Sequence, residues 1–231
     1  LKKIHNNFNV YAWPSEKIKI YNEKSNLEEL FEFKNKKKDI FFLFKYKEIY
    51  DFFYNHLKKN KYTNFIKSNI ELKKITNKNN YKLIVNSDSN NSISKKYFYK
   101  KVRKNYNSVA YTFIITHEKI INNIAKQIFT KIGPLAFLPL SNTKTSIVFS
   151  YNGRKKMSDE EIFKMVSKYN NEYKIINYGS IEKFNLIFSI LRDFKEEKIL
   201  PFGDLLHKIH PLAGQGFNMT LRDFKILSKI I

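Results

Sequence analysis

The sequence predicts a mixed α/β chain of α+β character with a largely antiparallel middle, and three observations carry that reading. Short stretches alternate polar and apolar residues, as strands do, beginning with Lys17–Tyr21 (KIKIY). Two segments instead read as helices, Tyr46–Lys59 from apolar residues at three- and four-residue steps and Ser158–Asn170 from its capped, acidic start. A third stretch, Gly203–Asp223 (GDLLHKIHPLAGQGFNMTLRD), gathers scarce Gly, His and Pro into one place between a strand-like and a helix-like segment.

Taken in order, Leu27–Phe33 and Asp39–Phe44 read as further extended segments after the first strand. In the helix Tyr46–Lys59, Ile49, Phe52, Phe53 and Leu57 share one face, with Lys58 and Lys59 in the last turn and His56 at or near the surface. Asn69–Ile75 and Tyr81–Asp88 read as two strands, and Ser87–Ser94 as a polar loop. Val109–Thr116, Ala125–Phe129 and Ser146–Tyr151 are strand-like and spaced as in an antiparallel sheet. Gly133–Leu140 (GPLAFLPL) interrupts them with two prolines, which points to a sheet edge or a loop, because proline cannot donate to a central ladder. Ser158 followed by Glu161 is a capping-box signature for the second long helix. A strand at Ile199–Phe202, a loop to Gln215 and a helix to Ile231 close the chain. In that helix Phe217, Leu221, Phe224, Leu227 and Ile231 form an apolar face suited to burial.

Composition narrows the function classes. Hydrophobic residues make up 42% of the 231, a globular composition. The net charge of +22 would suggest a nucleic-acid partner, yet only Arg103, Arg154, Arg192 and Arg222 among the 43 basic residues are arginine. A chain selected to grip phosphates and base edges uses more of them. The favoured Lys, Asn, Ile, Phe and Tyr have A/T-rich codons, which accounts for much of the basicity, and the expectation is no nucleic-acid partner. Diffuse positive charge suits an anionic membrane surface better. There is no cysteine, so disulfides and thiolate chemistry are excluded. No apolar run approaches the about 18–20 residues of a spanning helix. His207 and His210 have H-x-x-H spacing but no convincing third ligand, and no metal is expected.

Gly214 and Gly216 precede the last helix, and Asp204 follows a strand end. Glycine lets a backbone approach a ligand, helix-start N–H groups favour an anion or a carbonyl oxygen, and a carboxylate can accept hydrogen bonds from ligand hydroxyls. The cluster is a candidate site for a cofactor bearing phosphate and polyol groups, or else a Gly-rich connection.

Gly203–Asp223 also resembles the second flavin-binding signature of the class A flavoprotein monooxygenases. There Gly-Asp is followed by Ala-Ala-His, His-Pro, Ala-Gly-Gln-Gly and Asn. With GPLAFLPL and the preceding AKQIFTKI, it is similar to the ubiquinone-biosynthesis hydroxylase branch, and LIVNSDSNNS resembles that branch's mid-chain Asp motif. The resemblance implies a partial FAD-binding Rossmann-like domain with an antiparallel-sheet substrate domain, as in para-hydroxybenzoate hydroxylase. The expected boundaries are residues 1–94 and 191–231 for the FAD-binding part and 95–190 for the substrate domain. It implies FAD contacts at Asp88, Gly203, Asp204, Pro211, Leu212, Ala213, Gly214, Gln215, Gly216 and Asn218, and a substrate side at Phe137, Leu138 and Pro139. It names no acid–base dyad. It further implies NAD(P)H as reductant, O2 and a prenylated phenol as substrates, other ubiquinone-biosynthesis proteins as partners, and a cytoplasmic protein peripheral to the inner membrane.

Three departures stand beside it. None of the six glycines forms the opening G-x-G-x-x-G that holds the FAD diphosphate. Asn86 and Ser89 replace the glycines around Asp88. Leu205 and Leu206 replace the two alanines after Gly-Asp, where they are expected to crowd the ribityl chain. The chain also begins at Leu1. It therefore reads as a fragment or split part of such a hydroxylase. A non-catalytic binding or scaffold relative, and a basic membrane- or RNA-binding module, stay open as alternatives.

Overall fold

Alternation, capping and turn chemistry produce seventeen elements along the residues that the computed structural model describes, which are 11–23, 27–35, 39–66, 81–153, 156–209 and 215–231. The first part carries β1 (Trp13–Ser15), β2 (Lys17–Asn22), β3 (Glu28–Lys34), β4 (Phe41–Leu43) and α1 (Tyr46–Lys58). The middle carries β5 (Ile84–Asn86), α2 (Ser92–Tyr97), β6 (Lys101–His117), β7 (Ile124–Thr130), β8 (Gly133–Ser141), β9 (Lys144–Tyr151) and α3 (Asp159–Tyr169). The last part carries β10 (Ile175–Tyr178), β11 (Glu182–Leu191), β12 (Ile199–Pro201), β13 (His207–Lys208) and α4 (Gln215–Ile230). They fall into two units, Leu1–Thr63 with Asn107–Asn185, and Asn64–Tyr106 with Leu186–Ile231.

The first unit is built around one large sheet covered by α3, and it also holds α1 and the antiparallel β1–β4 pair. The strands of the large sheet run in the order β3-β2-β7-β8-β9-β6, and β10 also pairs with β6. All pairs are antiparallel except β2 with β7. Period-two burial sends Tyr111, Phe113, Ile115, Ile128, Leu135, Phe137, Ile147 and Phe149 to one face. α3 covers that face with Ile162, Met165, Val166 and Tyr169, spaced as one helical stripe. The capping box fixes where α3 starts: Ser158 N–H donates to Glu161 Oε2 (2.7 Å) and Glu161 N–H to Ser158 Oγ (3.2 Å).

A buried polar network closes one end of this core. The Asn122 amide donates to the carbonyl of Ser141 (2.7 Å) and to Thr145 Oγ1 (2.9 Å), and its oxygen accepts from the Tyr173 hydroxyl (3.2 Å). His117 bonds Thr145 Oγ1 through Nε2 (3.0 Å), and its ring lies 4.6 Å from that of Tyr173. Burial pushes the Tyr173 hydroxyl up to about 12, so it serves as a neutral donor.

Four expectations change. Gly133–Leu140 is neither an edge nor a loop: β8 lies inside the sheet between β7 and β9. Each proline is tolerated because it stands beyond the end of one of its two ladders. Pro134 pairs with Phe129 of β7, while the β9 ladder starts at Leu135. Pro139 pairs with Thr145 of β9, while the β7 ladder ends at Phe137, and a bulge follows. Gly133 opens the strand at φ +137, where a Cβ would lie 1.8 Å from the Ser150 carbonyl oxygen. Second, Ser87–Ser94 is not all loop, because α2 begins at Ser92 with Asn91 as its cap. Third, α4 forms as expected, yet none of its residues is buried, and Phe217, Phe224 and Ile231 stand exposed. Fourth, β6 extends well beyond Val109–Thr116, reaching back to Lys101. The strand expected at Asn69–Ile75 lies outside the described residues.

Glu23, at the end of β2, gives a pH signature. The Tyr169 hydroxyl, the Lys131 N–H (2.8 Å) and the Lys168 ammonium (3.0 Å) hold its carboxyl at about 2. A depressed carboxyl stabilises the fold above the ordinary carboxylate range, and that contribution is lost as pH falls toward about 2. Glu23→Gln therefore melts below wild type at neutral pH, and the gap in melting temperature closes as pH falls through this window. A gap that is constant with pH would contradict the assignment.

Candidate flavin site

In the second unit, β5 and β12 pair in parallel, Ile199 with Ile84 and Pro201 with Asn86. The rungs are Ile84 N–H to the Lys198 carbonyl and Phe202 N–H to the Asn86 carbonyl, both 2.9 Å. In parallel sheets ligands bind beyond the carboxyl ends of the strands. Two segments occupy that edge here, Ser87–Asn91 after β5 and Gly203–Leu206 after β12.

Local chemistry shapes both. After β12, Gly203 takes φ +57 and starts a single 3-10 turn, with Leu206 N–H bonded to its carbonyl at 3.0 Å. Leu205 drops into a core with Ile93, Phe98, Leu191 and Ile199, and Leu206 packs against it. The Leu205 side chain points into this core and anchors the turn from inside. Asp204, between buried Gly203 and buried Leu205, is left exposed, and its carboxylate has no hydrogen-bond partner among the described residues.

After β5, buried Asn86 donates to Ser94 Oγ (2.8 Å) and accepts from the Asn91 amide (2.7 Å). Asn91 in turn caps α2 by accepting from Ser94 N–H (2.8 Å), and Ser94 Oγ donates to the Asp88 carbonyl (2.5 Å). The Asp88 carboxylate accepts from Asn90 N–H (2.7 Å) and so closes its own turn. Sequence reasoning treated Asn86 as a lost glycine, whereas it holds the loop together. The Asn/Ser density of NSDSNNS was the available signal.

α4 leans on the same edge. A Cβ on Gly203 would meet Thr220 of α4 at 3.7–3.8 Å, and His207 Nε2 lies 2.8 Å from Asp223 Oδ2. His207 thus ties β13 to the helix, while its Nδ1 is buried without a hydrogen-bond partner among the described residues. Gln215 and Asn218 are exposed at the start of α4, and the space a Gly216 Cβ would fill is clear to 3.8 Å.

Of the residues expected to hold FAD, the fold places Asp88, Gly203 and Asp204 beyond the paired strand ends, with α4, which starts at Gln215, packed on Gly203. Pro211, Leu212, Ala213 and Gly214 lie outside the described residues, as does His210. Phe137, Leu138 and Pro139 belong to the first unit. Phe137 is 2% exposed and stacks on Tyr173, Pro139 is also buried, and Leu138 faces away from the core, half-buried. Among the described residues no group of three or more His, Asp or Glu could hold a metal ion.

The fold is shared with known proteins. It superposes for 95% of the chain on 68% of PqsL, a probable FAD-dependent monooxygenase from Pseudomonas aeruginosa, with TM-score 0.67 and 12% identity. For p-nitrophenol 4-monooxygenase PnpA from Pseudomonas putida the shares are 97% and 64%, with TM-score 0.67 and 10% identity. No family model matches. In sequence, the ubiquinone biosynthesis monooxygenase COQ6 of Danio rerio is 26% identical over 194 residues, covering 65% of this chain and 40% of that protein. The ubiquinone hydroxylase UbiL of Rhodospirillum rubrum is 24% identical over 131 residues, covering 54% and 30%. In sequence the chain is similar to ubiquinone-biosynthesis monooxygenases and hydroxylases. Its fold is that of FAD-dependent monooxygenases such as PqsL and PnpA, and it spans about 40% of the length of COQ6.

The turn after β12 gives a stability test. Gly203→Ala meets only ordinary contacts and costs about 1 kcal/mol, from the left-handed backbone alone. Leu205→Ala empties the core position and costs about 2–5 kcal/mol. Urea denaturation that ranked Gly203→Ala as the more damaging would contradict this division of roles.

Proposed function

We propose that the chain carries the flavin-ring and substrate portion of an FAD-dependent monooxygenase that hydroxylates a prenylated phenol in ubiquinone biosynthesis. The observation that carries the reading is Asp204, an exposed and unengaged carboxylate at the carboxyl ends of two parallel strands. The residues suit the flavin half of FAD. Asp204 would accept hydrogen bonds from the ribityl hydroxyls, with Gly203 supplying the turn that presents it. Pro211 and Leu212 would flank the ring. The backbone from Ala213 through Gly214, Gln215 and Gly216, with Asn218, would meet its pyrimidine edge, where the helix start favours negative charge. Asp88 supports the site by keeping the β5 loop closed.

Bound FAD would supply activation of O2 and transfer of one oxygen atom to the phenol, with NAD(P)H as reductant. The protein's part is to orient the ring and the phenol and to keep water out. On the substrate side Leu138 is the residue turned away from the core, and Phe137 and Pro139 brace it from the packed side. In this reading the second unit serves the cofactor and the first unit, with β2 and β3 in its sheet, the substrate. A prenylated substrate draws the protein to the periphery of the membrane and into the company of other ubiquinone-biosynthesis proteins.

Flavin fluorescence tests the site. Titration with FAD quenches the flavin on the wild-type chain, and Asp204→Ala weakens binding about tenfold or more, the value of a hydrogen bond to a charged group. Riboflavin binds about as well as FAD, because no glycine fingerprint grips the diphosphate. Absent quenching, or an Asp204→Ala titration that matches wild type, would overturn the proposal.

A further inference from the structure

β3 is the end strand of the first unit's sheet, and among the described residues no strand pairs with its outer edge. End strands usually guard that edge with proline, charge or brevity, because unpaired N–H and carbonyl groups invite another strand. β3 runs for seven residues, EELFEFK, without proline or glycine. Its register slips at Leu30, and from Phe31 to Lys34 its pairing with β2 is regular.

The two faces of this regular stretch differ. Phe31 lies beside Ile20 and Phe33 beside Ile18, so four apolar side chains share one face. Phe31 and Phe33 are 61% and 51% exposed, and their rings stack at 6.3 Å and 30°. The opposite face is ionic. Glu32 pairs with Lys34 (3.2 Å) and with Lys17 and Lys19 (both 3.5 Å), and Lys34 is itself exposed.

These residues match themselves across a two-fold axis. In an antiparallel pair centred on Phe33, Phe33 lies beside its own copy, and Glu32 of each chain lies beside Lys34 of the other. Same-face residues meet across antiparallel strands, so rings and charges find matching neighbours in one register. An axis moved to Glu32 would set two carboxylates side by side. A strand of another protein would need a base and an acid at the same spacing, and a second copy supplies both. The charge of the whole chain does not oppose the contact locally: the chain carries +22, but β3 holds three Glu and one Lys.

We propose that β3 pairs with β3 of a second copy of this chain, across a two-fold axis at Phe33, and joins the two sheets into one. The phenylalanines cover each other on one face, and reciprocal Glu32–Lys34 pairs bridge the copies on the other. Such a pairing closes on itself, so it ends at a dimer. The inference does not rest on the flavin reading, and failure of FAD binding leaves it standing.

Sedimentation of the purified chain tests it. Between about 1 and 100 μM the wild-type mass rises from 27.7 kDa toward twice that value. Phe31→Ser/Phe33→Ser stays monomeric over the same range. Glu32→Lys and Lys34→Glu each stay monomeric, because like charges then face each other. An equimolar mixture of these two variants dimerises, because opposite charges face each other again at both ends. Phe31, Phe33 and Lys34 are exposed, so their variants keep the wild-type melting temperature. Amide exchange of the wild type supplies a measurement free of substitutions: protection of Phe31–Lys34 rises with concentration, while that of α3 stays constant.

Four results would overturn the proposal. A wild type that is monomeric at about 100 μM ends it. A dimer that survives Phe31→Ser/Phe33→Ser lies on another surface. A charge-variant mixture that stays monomeric, with both variants folded, removes the register. Protection of β3 that does not change with concentration means that no second copy covers the edge.

Discussion

The parallel pairing of β5 with β12 is the constraint on which the candidate site depends. Two three-residue strands make few hydrogen bonds, and a pair this short is marginal by itself. It holds because each strand leads into a segment locked from below. Leu205 pins the turn after β12 into the core, and Asn86 pins the loop after β5 through Asn91 and Ser94. With both ends fixed, Gly203 can adopt its left-handed conformation and leave the Asp204 carboxylate facing outward. The site's one unengaged acid is thus a product of apolar packing one residue further on.

The first unit solves a different problem with similar economy. A sheet strand that must contain two prolines places each where only one neighbour is hydrogen-bonded, so β8 stays central without leaving broken ladders. The same strand alternates Leu135 and Phe137 toward α3 with Ala136 and Leu138 away from it. One face is committed to the fold, and the other carries half-buried side chains. At the polar end of that core burial keeps Tyr173 protonated, and Asn122 satisfies several strand ends without introducing a charge.

Much of this was legible in the sequence. Ser158 and Glu161 announced the start of α3, and the Gly/His/Pro cluster pointed to the edge where Asp204 stands. The antiparallel middle followed from alternation. What was not legible depended on partners distant in sequence. Proline position in GPLAFLPL signals an edge unless the ends of both ladders are known. Leu205 reads as a bulky intruder until the core containing Phe98 and Leu191 is seen beneath it. Asn86 reads as a missing glycine because its role is to bond Asn91 and Ser94, side chains of a loop whose shape the pattern does not encode. α4 has the periodicity of a buried helix, yet none of its residues is fully buried, which periodicity by itself cannot reveal.

The central claim is that flavin binds beyond the carboxyl ends of β5 and β12. Amide hydrogen exchange with and without FAD tests it most directly. Protection confined to Ser87–Asn91, Gly203–Leu206 and the first turn of α4 is the result this account predicts. Protection that appears only in the strands of the first unit, or nowhere, would contradict it.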